Sequence, residues 1–73
     1  MKTPQKIIDA LPDGNRKRAC VMLEVVCGLM ADPETVWGMI SDGKYPDASK
    51  EILKQGGEQD ALAQVLADMI WEG

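Results

Sequence analysis

Proline and glycine cut this chain into pieces too short for anything but small structural elements. Thr3-Pro4, Pro12-Asp13-Gly14, Asp32-Pro33-Glu34, Asp42-Gly43 and Gly56-Gly57 fall where helices start and stop. A Ser, Thr, Asp or Asn followed by proline is an N-cap ahead of a first helical position, and glycine ends a helix without strain. Between these marks the apolar residues recur at helical spacing, and no stretch shows the strict alternation of a strand.

Five helices are expected. The first begins at Pro4 and carries Ile7, Ile8 and Leu11 on one stripe. Asn15 is the expected cap of the second, over about 16–31. Ala19, Cys20, Leu23, Val26, Cys27 and Met30 share one side of it, and Met22, Val25 and Leu29 widen the apolar arc. Lys17, Glu24 and Gly28 leave only a narrow polar strip, so this helix is expected at the centre of the fold. The third runs to about Ser41 with Val36, Trp37 and Ile40 inward. The fourth, about 48–55, is capped by Asp47 and packs through Ala48, Ile52 and Leu53. The fifth, about 58–72, presents Leu62, Val65, Leu66, Met69 and Ile70. The fold class is all-α: a single domain over 1–73, built as a compact bundle around the second helix. Val26, Leu23 and Met30 should meet Trp37 and Leu66 in its core.

Composition narrows the function. With no histidine among 73 residues there is no imidazole base, no Ser-His or Cys-His dyad and no histidine-bound metal. Neither Ser41 nor Ser49 sits in a Gly-x-Ser-x-Gly elbow, and Gly56-Gly57 lacks the Lys-Ser/Thr of a phosphate loop. Asp42 and Asp47 flank a turn but lack the close oxygen spacing of a calcium loop. An acyl carrier role needs an attachment serine at a helix start within Asp-Ser-Leu, which is missing. Catalysis, cofactors and metals are therefore not expected.

Cys20 and Cys27 lie two helical turns apart, roughly 10 Å, beyond the ~7 Å reach of a disulfide. They read as buried apolar residues in a reducing compartment. No apolar leader follows Met1, and no apolar run is long enough to cross a bilayer, so a cytoplasmic location is expected.

The net charge of −4 is unevenly spread. Residues 1–31 sum to +2 and residues 32–73 to −6. The one basic cluster, Arg16-Lys17-Arg18, reads most simply as solvated charge. On the fifth helix Asp60, Gln64, Asp68 and Glu72 fall opposite the apolar stripe, with Trp71 among them. This face is either a solvated acidic surface, with Trp71 folded over a gap, or a contact surface. The second reading gives protein-binding residues Asp60, Asp68, Trp71 and Glu72, and a partner protein with a basic surface of the kind that handles nucleic acid. Such a chain would be a modulator or inhibitor, a role common among compact proteins encoded by phages and plasmids. Trp37 and Tyr45 offer a second possible contact surface.

The alternative is a helix-turn-helix DNA-binding regulator using residues 33–55, with Gly43 in the turn. Met39 then stands where a small residue belongs and Ser49 where an apolar one should pack, although Ile52 fits. The reading helix would carry Asp47, Lys50, Glu51 and Lys54, whose charges cancel, and this disfavours nucleic acid as a partner. A homodimer is also expected, because four short helices are few to cover a helix that is apolar nearly all round.

Overall fold

The computed structural model describes residues 4–26, 30–57 and 60–72. Its elements are α1 (Pro4–Ala10), α2 (Asn15–Val26), α3 (Pro33–Ser41), α4 (Tyr45–Gly56) and α5 (Ala61–Glu72). No strand occurs among the described residues. The expected bundle of short helices is what the chain forms.

Local chemistry sets the helix ends, with four departures from expectation. α5 starts at Ala61 and not near 58, because Asp60 stands outside it as the cap. Asn15 does not cap α2 but is its first residue; the Gly14 carbonyl accepts the Arg18 N–H at 3.1 Å. The second helix is described only to Val26, because Cys27, Gly28 and Leu29 lie outside the described residues, and Met30 and Ala31 are bends, not helix. α4 begins at Tyr45 and not at 48. Pro46 fits a first turn, where its missing N–H costs nothing, and the Lys44 carbonyl takes the Ala48 N–H at 2.9 Å. Asp47 thus lies inside the first turn, where the helix dipole favours an acid. Asp32 caps α3 as expected, accepting from the Thr35 N–H at 3.3 Å, and also pairs with the Thr35 hydroxyl.

The core collects Ile7, Ile8 and Leu11, Ala19, Cys20 and Leu23, Val36, Trp37 and Ile40, Ala48 and Ile52, and Ala63, Leu66, Ala67 and Ile70. Leu23, Trp37 and Leu66 are there as expected, while Val26 and Met30 pack at the edge, half-buried. α2 is not enclosed on all sides. It buries one face only, and Val21, Met22 and Val25 remain 49%, 43% and 81% exposed. α5 is the helix against which both α2 and α4 pack.

The α4–α5 pair is an antiparallel hairpin joined by small residues. Ser49 is buried, and its hydroxyl donates to the Ala67 carbonyl at 2.8 Å. At the other end a Cβ on Gly56 would stand 2.7 Å from the Ala63 Cβ, closer than two carbons can sit. The two backbones approach closely because Ser49, Gly56, Ala63 and Ala67 leave room. This sets the rotation of α5: Ala63, Leu66, Ala67 and Ile70 turn inward, Leu62 and Met69 are half-buried, and Val65 is 51% exposed. The apolar stripe expected through Val65 is displaced by about one residue.

Gln55 ties α4 to the start of α3. Its amide donates to the Asp32 carbonyl (2.8 Å) and to Glu51 (2.9 Å), and its oxygen accepts the Asp32 N–H at 2.9 Å.

Candidate functional site

The outer face of α5 carries the expected contact residues, and the structure divides them. Asp60 is the N-cap. Its carboxylate accepts from the Leu62 N–H at 3.0 Å and the Ala63 N–H at 3.3 Å, two of the donors that a helix start leaves unpaired. Asp68 and Glu72 lie one turn apart near the other end, about 12 Å or more along the axis from Asp60. Both are exposed, and among the described residues neither has an ion-pair partner. Trp71 follows Asp68 by three positions and is 55% exposed, so about half of it is open to a partner. Asp68, Trp71 and Glu72 form one group; Asp60 is held apart by its capping role.

What positions this group is a residue that sequence reasoning assigned to solvent. Arg16 donates from Nε to the Ile70 carbonyl at 2.8 Å and from Nη2 to the Trp71 carbonyl at 3.3 Å. Its guanidinium also lies 3.6 Å from the centroid of the Tyr45 ring. The last carbonyls of a helix lack internal partners and carry partial negative charge, so a forked cation is well matched to them. One signal for this was present: the last turn of α5 has no basic residue of its own, so its carbonyls need a cation from elsewhere. The rest of the basic cluster is also engaged locally, Lys17 with Asp13 at 3.7 Å and Arg18 with Asn15 at 3.2 Å.

Trp37 and Tyr45 do not form a second contact surface. Trp37 is 5% exposed, and the guanidinium of Arg16 lies over the Tyr45 ring. The Trp37 indole N–H is buried without a hydrogen-bond partner among the described residues. Cys20 is fully buried, and burial pushes its thiol up from 9.0 to about 11, although nearby Arg16 acts in the opposite direction. A thiol so protonated is a poor nucleophile. Cys27 lies outside the described residues.

The segment proposed for DNA reading has the right outline. α3 and α4 are joined by Asp42-Gly43-Lys44, and Gly43 takes a φ of +75°, which glycine adopts without strain. Asp47, Lys50 and Lys54 are exposed on α4, while Glu51 is half-buried against Gln55, so the exposed face carries two lysines against one acid, few donors for a phosphate backbone. Ser49 does not pack as an apolar residue would; it bonds to α5.

Between α2, α4 and α5 lies a cleft of about 110 Å³, lined by Leu23, Val26, Ile52, Leu62 and Leu66, with Gln55 and Asp60 at its edge. Both polar side chains already hold backbone groups, which leaves little to orient a small ligand. Among the described residues no three Cys, Asp or Glu are grouped to hold a metal, and no helix is long and apolar enough to cross a membrane.

No family model, curated protein or solved structure matches this chain.

Proposed function

We propose that this protein is a non-enzymatic binding module that places the outer face of α5 on a basic surface of a partner protein. The observation that supports this reading is the half-exposed Trp71 grouped with Asp68 and Glu72 at a helix end fixed by Arg16. α5 carries acids and no base of its own, since no Lys or Arg follows Lys54, and the nearest cation, Arg16, is turned onto its last carbonyls. The acids steer a cationic surface and raise the association rate, while the indole, once desolvated, slows dissociation. Basic protein surfaces often hold nucleic acid, and occupying one blocks access without chemistry. The protein then acts as a modulator or inhibitor of a nucleic-acid-handling partner, in the cytoplasm, where a free thiol such as Cys20 is stable.

The helix-turn-helix regulator is the second reading, favoured by the three-residue turn with Gly43. Salt separates the two, since phosphate binding weakens steeply with salt and an indole-centred protein contact less so. The direct test captures partners from the native host with the wild type, Trp71→Ala and Asp68→Lys, each confirmed as helical. A specific partner retained by the wild type should be lost or weakened in both variants. Full retention by both would place the contact surface elsewhere.

A further inference from the structure

The proposed contact group is centred on Asp68 and Trp71; the flank of α5 that borders α2 is apolar as far as Glu72, which the two surfaces share. α2 and α5 run antiparallel: Arg16 bonds Ile70 and Trp71 at one end of the seam, and Val26 and Leu62 line one cleft at the other. Counting along both helices sets Met22 level with Val65 and Arg18 level with Met69. On α2, Met22 and Val25 lie beyond Val26, away from buried Leu23. On α5, Met69 and Val65 lie beyond Leu62, away from buried Leu66. The seam therefore carries an outward apolar row in which Met22, Val25 and Val65 are 43%, 81% and 51% exposed. Arg18 and Glu72, both exposed, stand near one end of it, the base on α2 and the acid on α5.

We infer that this seam binds a second copy of the chain, about a two-fold axis running along it. That axis sets α2 of each copy against α5 of the other, at the same level and antiparallel, giving the alternating order of a four-helix bundle. Met22 then meets Val65 of the second copy, and Arg18 meets Glu72 of the second copy. The charge arrangement selects this axis: it matches base with acid on both sides, whereas an axis across the seam would bring the Arg18 end of each copy against the far end of the other. The surface involved is two helices wide and 12 residues long, roughly 18 by 20 Å. That is smaller than the ~800 Å² per partner of a standard stable interface. The dimer is accordingly reversible, forming in the micromolar range.

Sedimentation equilibrium across that range tests it. The wild type should pass from 8.0 kDa towards twice that mass as concentration rises. Val25→Glu, at a site too exposed to matter to the monomer, should weaken association at least about tenfold with helicity unchanged. Arg18→Glu should weaken it by about tenfold, and adding Glu72→Arg should restore it. Trp71→Ala, which tests the partner-binding face, should leave the dimer intact. A constant mass of 8.0 kDa overturns the inference, as does a dimer indifferent to Val25→Glu, a charge swap that restores nothing, or a dimer lost with Trp71→Ala.

Discussion

Helix α5 packs chiefly against α2 and α4, and it meets them by opposite means. Towards α4 it presents Ala63 and Ala67, and the backbones close until Ser49 bonds the Ala67 carbonyl and Gly56 has no room for a Cβ. Towards α2 it presents Leu62 and Leu66, larger side chains that meet Leu23 and Val26 but leave a cleft between them. Small residues make a seam whose strength lies in close approach. Large residues make one whose strength lies in buried area, with apolar atoms left over at its edge. The first seam is complete; the second has an outward face.

The largest effect should come from the area-rich seam. Leu23→Ala removes a fully buried side chain at its centre and should cost about 2–5 kcal/mol in a urea titration, as large-to-small core changes do. A loss below about 1 kcal/mol would mean that α2 contributes little to the fold. Next comes the close seam. Gly56→Ala would gain about 1 kcal/mol of helix propensity elsewhere, but here it forces two carbons to 2.7 Å and should cost about 1–3 kcal/mol. Adding Ala63→Gly should recover part of that loss. A more stable Gly56→Ala variant would show that the α4–α5 approach is looser than described.

Arg16→Ala should cost about 1–2 kcal/mol, the sum of charge-assisted bonds and the ring contact reduced by partial exposure. Arg16→Lys should recover less than half, because an ammonium lacks the planar fork. The last effect is one of slope and shows only at alkaline pH. The Cys20 thiol is held protonated in the folded state to about 11 against an ordinary 9.0. Its contribution is therefore fully present below pH 9 and lost as pH rises from 9 towards 11. Denaturation of the wild type and Cys20→Ala across that interval should show the steeper decline in the wild type.

Much of the fold was legible because punctuation is local chemistry. Asp32-Pro33 and Gly56-Gly57 mark helix ends regardless of what packs nearby. Rotation was harder to read. Hydropathy ranks Val65 above Ala63 and Ala67, but a seam built on close approach selects alanine, and Val65 is turned out. The same weighting put α2 at the centre, although the count of short helices already implied too few elements to cover it, and Val21, Met22 and Val25 are left exposed. Asp60 and Asp68 look alike as letters; only the start of α5 makes one a cap and leaves the other in solvent. The role of Arg16 joins residues 54 and 55 positions apart, and its one trace in the sequence is a last turn of α5 without a base.

That long link also shapes how the chain assembles. α3 with α4, and α4 with α5, are neighbours in sequence, so their contacts close short loops. The seam between α2 and α5, with Arg16 at its end, closes one that spans most of the chain. Closing a longer loop costs more entropy, and non-local contacts are the slow step of folding. The α4–α5 hairpin is thus the early unit and α2 the late one to dock. In the native protein the order reverses: amide protons of α2 should exchange with solvent through openings that leave α4 and α5 protected.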